Sequence, residues 1–390
     1  MKNYLFVLGR NFELSRAELV PFCEEVFSDR EKGLFIAKNL RFENPRELPK
    51  TPEQIFLDRM GGVIRFGEVL GEFFSKKELL DTMLNLLKKE EKNKIGFSVI
   101  GAGKKLFPEI FQGIRDYARE KDTKIRIENS KGENMTSGQI FDRKLLQKGM
   151  EFIIWKRGNS FLLARTVANQ NLRNYTLRDR RKVFRDSKMG MLPPKLGQIM
   201  INLANPSFEE TVIDPFCGSG TVNIEAAVTG YKTIGSDINP EFVEGAIKNF
   251  EQMAQKFRYE VEGGVFETKD AKKIDWKDQS GVICTEGFLG ENFDSNHRVT
   301  PREIANEERK VLDIWIKIFE NLGVSQIRKV VFCLPCWNFR GKKHSIAEKL
   351  FAKIPKNFYI PQALFARQKT FIYERDKTFV GREICVMERK

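Results

Sequence analysis

The chain of 390 residues is 41% hydrophobic and 31% charged, and its formal net charge is +14. No run approaches the roughly 18 apolar residues of a membrane helix, and the N-terminus becomes charged too early for a signal peptide, so the sequence predicts a cytoplasmic protein. The six cysteines form no disulfide framework, and only two histidines accompany them, which disfavours Ser/His hydrolytic or metal-dependent chemistry.

The first 170 residues combine short strands and helices without a regular βαβ rhythm, which predicts an α+β region. A first strand over residues 4–8 is followed by a turn and a helix. Further strands are expected over residues 62–70, 95–101, 124–129 and 151–158, and helices over residues 78–92 and 107–120. We expect an N-terminal subdomain over residues 1–60 and a second domain over residues 61–170.

A basic segment over residues 171–194 is expected to link this region to the rest of the chain. With the following lysine it holds eight lysines and arginines against two aspartates, interleaved with Tyr175 and Phe184. Cations mixed with aromatic rings are typical of nucleic-acid contacts, whereas a solvated connector that binds nothing is the alternative. The residues expected to contact nucleic acid are Arg173, Arg178, Arg180, Arg181, Lys182 and Arg185.

The balance of charge changes sign along the chain. Residues 1–200 contain 39 basic and 26 acidic side chains, residues 201–300 contain 9 and 17, and residues 301–390 contain 19 and 10. An acidic middle between basic flanks suits a protein that holds a small cation centrally and a polyanion around it. A lysine-rich composition with solvated faces is the alternative.

From residue 195 onward strands and helices alternate, which predicts a doubly wound parallel α/β sheet over residues 195–390. Strands are expected over residues 211–216, 232–237, 259–267, 281–285 and 329–335, and helices near 195–205, 219–229, 240–256, 301–322 and 344–353. The final segments YIPQALFARQ and TFIYERDKTFVGREICVME predict an antiparallel hairpin that closes the sheet edge. The Cys333–Cys336 pair is expected to fill the end of a buried strand rather than to bind zinc or act in redox chemistry.

The run DPFCGSGT, which begins at Asp214, carries the clearest chemical signal. It follows an apolar strand and opens a helix, and its glycines let the backbone approach a ligand at the turn. The next strand ends at Asp237, 17 residues after Gly220, where a carboxylate can accept hydrogen bonds from ribose hydroxyls. Asn223 stands where a dinucleotide-binding motif would have its third glycine, which disfavours that class of ligand. A purely structural tight turn is the remaining alternative.

The segment DPFCGSGTVNIEAAVTGYKTIGSDINPEFVEGAIKNF resembles the cofactor half of the tRNA guanine-N2 methyltransferases that carry a THUMP RNA-binding domain. The resemblance includes the preceding RTVANQNLRNYTLRDRRKVFRDSKMGMLPPKLGQIMINLA, the N-terminal YLFVLGRNFELSRAEL and the terminal YERDKTFVGREI. It implies a class I, Rossmann-like methyltransferase domain over residues 195–390 that uses S-adenosylmethionine, and a THUMP-like domain over residues 61–170 that binds tRNA. The named members closest to this sequence methylate the exocyclic amine of guanosine 10.

The resemblance also implies which residues bind the cofactor. In this family Asp237 would bind the ribose and Asp270 the adenine amine, while residues of the glycine-rich run would frame the methionine part. The full set of expected cofactor-binding residues is Asp214, Phe216, Gly218, Gly220, Asp237, Ile238 and Asp270. No metal is expected at this site.

The expected catalytic motif departs from the family pattern. Enzymes that methylate exocyclic amines carry Asp/Asn-Pro-Pro-Tyr/Phe after the fourth strand, where the acid or amide and the next carbonyl accept hydrogen bonds from the amine, and the ring stacks on the base. Here Glu286 supplies a longer acid, Gly287 replaces a proline, and Phe288 lies one residue early. We expect these three residues to perform the catalytic roles.

Two alternatives stay open at this point: a degenerate protein that binds cofactor or RNA without transferring methyl, and a methyltransferase that acts on amino groups of DNA. The α+β front half and the basic segment favour folded RNA. Some members of the family work with a small activating subunit, which is therefore a candidate partner.

Overall fold

The computed structural model describes residues 2–41, 50–103, 105–129, 134–185, 191–257, 264–291, 299–339, 341–365, 368–374 and 378–390. It divides into two compact units. The first comprises Met1–Arg16 with Phe22–Asn174, and the second comprises Ala17–Pro21 with Tyr175–Lys390. Among the described residues no helix combines the length and apolar character needed to cross a bilayer.

The first unit is built on one mainly antiparallel sheet. Its strands are β1 (Asn3–Leu8), β2 (Glu24–Asp29), β3 (Leu34–Lys38), β4 (Val63–Phe73), β5 (Lys94–Ile100), β6 (Arg126–Ile127), β7 (Met150–Arg157) and β8 (Ser160–Asn169). Within the described residues they pair in the order β2-β3-β1-β4-β8-β7-β5-β6. β5 runs parallel to β6 and β7, because helices between these strands return the chain to the same end of the sheet.

Helices cover part of this sheet and extend into the connection to the second unit. They are α1 (Phe12–Leu19), α2 (Pro52–Asp58), α3 (Lys76–Lys89), α4 (Leu106–Glu120), α5 (Ser137–Asp142), α6 (Leu145–Lys148) and α7 (Leu172–Arg180). Ser75 caps the start of α3 by accepting a hydrogen bond from the Glu78 amide. The buried faces of α3 and α4, which include Leu79, Met83 and Ile110, pack against the sheet in one core.

The predicted α+β class of this region is confirmed, but the sequence analysis missed three strands. β2 and β3 lie where no strand was expected, and β8 follows β7 through a turn at Gly158, whose φ is +51°. The strand expected over residues 124–129 is reduced to the two residues of β6. β1 belongs to the expected N-terminal subdomain and pairs with β4 of the expected second domain. Both expected domains therefore contribute strands to one sheet, and the boundary near residue 60 stays a prediction.

The second unit alternates strands and helices. Its strands are β9 (Thr211–Asp214), β10 (Lys232–Asp237), β11 (Gly264–Thr268), β12 (Ser280–Thr285), β13 (Gln326–Phe339), β14 (Lys342–His344), β15 (Phe358–Tyr359), β16 (Phe371–Tyr373) and β17 (Val380–Arg389). Its further helices are α8 (Pro194–Ala204), α9 (Thr221–Thr229), α10 (Pro240–Phe257), α11 (Pro301–Leu322) and α12 (Ala347–Phe351).

The order of these strands creates a crevice. Within the described residues the sheet runs β11-β10-β9-β12-β13-β17-β15, with β9 to β13 parallel and β17 antiparallel to β13. The chain winds outward on one side through β10 and β11 and then returns to build the other side from β12. In doubly wound sheets such a reversal, here between β9 and β12, leaves a crevice at the carboxyl ends of the strands where ligands bind.

The doubly wound α/β class predicted for this half is therefore confirmed, with differences at its end. β16 does pair with β17 in an antiparallel manner, but the segment YIPQALFARQ forms a 3₁₀ turn over residues 362–364 instead of a long strand. β17 lies inside the sheet between β13 and β15. The helix expected over residues 344–353 is shortened to α12, and residues 259–263 of the expected third strand lie outside the described residues.

Helix α11 packs a buried aromatic side chain against β13 and the loop that follows β9. It begins with a capping box in which Thr300 and Glu303 exchange hydrogen bonds. Its buried face places Trp315, which is fully buried, 4.2 Å between ring centroids from Phe332 of β13. Trp315 also lies 5.9 Å from the ring of Phe216, in the loop that follows β9. The core thus extends directly to the loops that follow β9 and β12.

Candidate active site

A cavity of about 350 Å³ lies at the carboxyl ends of β9, β10 and β12. Its size falls within the range of small-molecule sites. Of the residues predicted from the sequence to bind the cofactor or act in catalysis, the cavity is lined by Asp214, Phe216, Gly218, Asp237, Ile238, Asp270, Glu286, Gly287 and Phe288. Gly220 is the member of that predicted set that does not line it.

The glycine-rich loop after β9 depends on its glycines in two different ways. Gly218 has φ +49° and lines the cavity, so its backbone is presented to a ligand. Gly220 has φ +75° and precedes the first residue of α9. A Cβ on Gly220 would approach the Cβ of Ala246 in α10 to 3.2 Å. Gly220 therefore lets the loop pack closely against α10, and the direct cofactor contact expected for it stays a prediction.

Two carboxylates at neighbouring strand ends are held by backbone amides. Asp237 accepts hydrogen bonds from the amides of Gly218 at 3.1 Å and Asn239 at 3.0 Å. Asp214 accepts one from the amide of Phe216 at 3.1 Å. Each carboxylate therefore has a fixed orientation at the cavity and retains further lone pairs for a ligand.

Burial makes these two acids unusual. It raises the pKa of Asp214 to about 7, although hydrogen bonds from the Thr285 hydroxyl and the Phe216 amide oppose the shift. Burial also raises the pKa of Asp237. A cationic ligand would favour the ionised form of both acids, so this end of the cavity suits positive charge.

The remaining predicted cofactor residues lie at the rim of the same cavity. Ile238 is 69% exposed and presents an apolar side chain next to Asp237. Asp270 accepts a hydrogen bond from the amide of Lys272 at 3.0 Å and thereby caps a short 3₁₀ turn. An exposed apolar residue and an oriented acid are a suitable pair for a planar base with an exocyclic amine.

The loop after β12 brings the predicted catalytic residues to the opposite wall. Glu286 accepts a hydrogen bond from the Nε of Arg382 in β17 and forms an ion pair with it, both side chains being largely buried. Phe288 lines the cavity and packs at the edge of the core around Trp315. Sequence analysis missed Arg382, although it lies within the terminal segment YERDKTFVGREI, because nothing in the sequence shows that β17 lies next to β13.

The backbone of Gly287 explains why this loop lacks the usual proline. Gly287 has φ +72°, and a Cβ there would lie 2.7 Å from Cζ2 of Trp315. Proline is restricted to φ near −65° and cannot adopt this conformation. The loop therefore follows a glycine-dependent path over Trp315 that still delivers Glu286 and Phe288 to the cavity.

Two cations of the basic segment are buried instead of exposed to solvent. Arg178 is 3% exposed and its Nε donates to Glu225 of α9 at 2.7 Å. Lys182 is 6% exposed and donates to the Thr221 hydroxyl. RNA contacts were expected for Arg178 and Lys182, and that expectation is wrong, because cations buried inside the second unit cannot reach a phosphate backbone.

The other four predicted RNA-binding residues remain candidates. Arg173, in the first unit, is exposed, pairs with Asp142 at 2.9 Å and lies 5.0 Å from the ring centre of Phe141. Exposed side chains are also found at Arg180, Arg181 and Arg185. Phe184, expected to interleave with them, instead lines the cavity.

The cysteine pair lies in β13. Cys333 and Cys336 are both buried and unpaired, and their separation by three residues directs them to opposite faces of the strand. Within the described part of the chain no cluster of three or more metal-ligating side chains occurs.

Residues 178–301 match the family described as UPF0020, an RMKL-like methyltransferase domain. The matched range lies within the second unit. The chain is 29% identical over 128 residues to a tRNA (guanine(10)-N2)-dimethyltransferase of Methanocaldococcus jannaschii. The aligned region covers 33% of each of the two proteins. It is 36% identical over 104 residues to the Pyrococcus abyssi protein of the same name, covering 27% of this chain and 26% of that protein.

The chain thus spans a third or less of the length of these two relatives. Over its full length it resembles in fold the crystal structure of TrmN from Thermus thermophilus, with a TM-score of 0.50, 14% identity and complete coverage of both chains. This likeness agrees with the α/β methyltransferase fold predicted from the sequence. The THUMP-like assignment of residues 61–170 stays a prediction.

Proposed function

We propose that this protein uses S-adenosylmethionine to methylate the N2 amine of a guanine in tRNA. The observation that carries the proposal is the single cavity that joins the oriented acids Asp214 and Asp237 to Glu286 and Phe288 across the reversal of strand order. The names of the two partially matching relatives support the substrate class. The exposed arginines of the basic segment support contact with RNA.

The cavity fits the proposed cofactor. Asp237, oriented by two backbone amides, accepts hydrogen bonds from the ribose hydroxyls, and Asp270 accepts one from the adenine amine. Ile238 packs on the adenine ring. Asp214 lies at the end that holds the cationic methionine part, where its pKa of about 7 lets a positive ligand shift it to the ionised form.

The opposite wall receives the target base. Phe288 stacks on the guanine, and Glu286 accepts a hydrogen bond from its N2 amine, which directs the nitrogen lone pair toward the cofactor. Arg382 holds the Glu286 carboxylate in place through the ion pair described above. The bound cofactor supplies an electrophilic methyl group on its sulfonium. Glu286 is placed to accept the proton that the amine loses.

The proposal is tested by incubating the purified chain with unmodified tRNA and cofactor labelled in its methyl group. We expect labelled N2-methylguanine in the wild type and a loss of about a hundredfold or more in Glu286→Ala, since a displaced acceptor of about 1 Å already costs that much. Glu291→Ala is the matched control, because Glu291 is a nearby exposed acid outside the cavity.

One observation favours the non-catalytic alternative: Glu286 is already engaged by Arg382. If the wild type binds cofactor and tRNA normally but transfers no methyl, the protein is a binding protein with a degenerate motif. Methylation of duplex DNA in preference to tRNA in a direct competition would instead support action on DNA.

Two partner statements belong to the same proposal. A small activating subunit is a candidate because the resemblance implies one for some relatives, and activity of the chain alone would exclude the need for it. A cytoplasmic location accompanies the tRNA substrate and is tested by fractionation.

A further inference from the structure

A buried lysine stands beside the cofactor loop. Lys182 follows α7, and its ammonium donates to the Thr221 hydroxyl at 2.5 Å and to the Ser219 hydroxyl at 3.4 Å. Ser219 and Thr221 both line the cavity. The ammonium therefore lies one hydrogen bond from the cavity wall, at the N-terminus of the nine-residue helix α9.

The charge of Lys182 is not matched by an ion pair within the described residues. The acids that face it are Glu225 and Asp179, and the cations are Arg178 and Arg185. Glu225 is engaged by Arg178 at 2.7 Å. Burial lowers the pKa of Lys182 to about 8, despite the attraction of the two acids. An anion that enters through the cavity would stabilise the charged form of this buried amine.

The proposed cofactor carries one anionic group, the α-carboxylate of its methionine part. Asp214, Asp237 and Asp270 repel a carboxylate and attract the cationic groups. The N-terminus of α9 and the two hydroxyls beside Lys182 favour an anion. The orientation of charge within the cavity thus directs the carboxylate toward α9.

We propose that Lys182, together with the hydroxyls of Ser219 and Thr221, binds the α-carboxylate of the cofactor. The proposal rests on the proposed function, since it names one end of the same cofactor site. It places a residue of the basic segment in cofactor binding instead of RNA binding. Because the carboxylate favours the charged amine, affinity for a carboxylate-bearing ligand falls as the pH rises above about 8.

The test compares two ligands that share the adenosine part. S-adenosylhomocysteine carries the amino-acid carboxylate, and 5′-methylthioadenosine lacks it. In calorimetric titrations we expect Lys182→Met to weaken S-adenosylhomocysteine by about 10- to 100-fold, as for the loss of a charge-assisted hydrogen bond. The same variant should bind methylthioadenosine within twofold of the wild type, which also shows that it is folded. Lys248→Met, which removes an exposed cation of α10 that does not line the cavity, should change neither.

The outcomes separate the two proposals. An equal loss for both ligands, or no loss for either, overturns the role of Lys182 while leaving the cofactor site intact. A wild type that binds neither ligand overturns the cofactor site and Lys182 together. A second measurement follows the pH: the ratio of the two dissociation constants should shift against S-adenosylhomocysteine between pH 7 and 9 more strongly in the wild type than in Lys182→Met. The α-amine of the ligand and the Asp214 carboxyl titrate in both proteins, so equal shifts in the two overturn the proposal.

Discussion

The path of the loop after β12 makes Gly287 the most informative position to perturb. In Gly287→Ala the residue would keep a φ of +72°, which costs about 1–2 kcal/mol for a non-glycine residue. Its Cβ would also lie 2.7 Å from Cζ2 of Trp315, whose side chain is fully buried and has no room to move. Such overpacking costs about 1–3 kcal/mol. The expected loss in free energy of unfolding is therefore about 2–5 kcal/mol.

Gly341 provides a matched control for this variant. It has φ +74°, and a Cβ there would meet no atom within 4 Å, so Gly341→Ala should lose only the conformational part, about 1–2 kcal/mol. Urea unfolding of both variants isolates the contact with Trp315 as the difference. Equal midpoints for the two variants would refute the contact.

The same variant tests the link between loop and chemistry. The backbone of residue 287 must shift to relieve the contact with Trp315, and this shift must move Glu286 or Phe288, which flank residue 287 in the chain. A displacement of about 1 Å corresponds to roughly a hundredfold loss of kcat/KM, while cofactor affinity should change little, because Asp237 and Asp270 lie on other loops. Full activity in Gly287→Ala would show that the loop does not position the catalytic residues.

Three further results are expected. Without cofactor, the pKa of Asp214 is about 7 in the folded protein and 3.8 in the unfolded chain. Because the unfolded chain loses this proton first, the free energy of unfolding falls as the pH rises from about 4 to 7. Unfolding titrations of Asp214→Asn should show this fall reduced by up to about 4 kcal/mol. Arg178→Met leaves Glu225 buried without its ion pair and should cost about 3–5 kcal/mol, of which a second change, Glu225→Gln, recovers a large part; equal stability of single and double variants would contradict this. Asp237→Ala should abolish micromolar cofactor binding in calorimetry, whereas Asp313→Ala, at an exposed acid of α11, should preserve it.

The fold and the cavity could be predicted because their signals are local. The strand-loop-helix pattern around Asp214 and the acid at Asp237 require only regular spacing, and parallel strands necessarily bring their carboxyl ends together. The pairing of Glu286 with Arg382 is a different case. Arg382 lies 96 residues after Glu286, and the two meet because β17 pairs with β13. No periodicity in either segment reveals that these two strands are neighbours.

In the basic segment, composition alone did not distinguish buried cations from exposed ones, whereas helical spacing distinguishes some of them. Tyr175 and Arg178 lie three residues apart on one face of α7, and both are buried. Lys182 lies beyond the end of α7 and is buried as well. Glu225, an acid among the apolar residues of α9, is the complementary signal, since a buried acid needs a buried cation. Counting charges assigned six cations of this segment to RNA contact, with Arg178 and Lys182 among them. Periodicity separates the buried Arg178 from the exposed Arg180 and Arg181, which remain candidates for RNA contact. The burial of Lys182 depends on the path of the chain after α7, which no periodicity reveals.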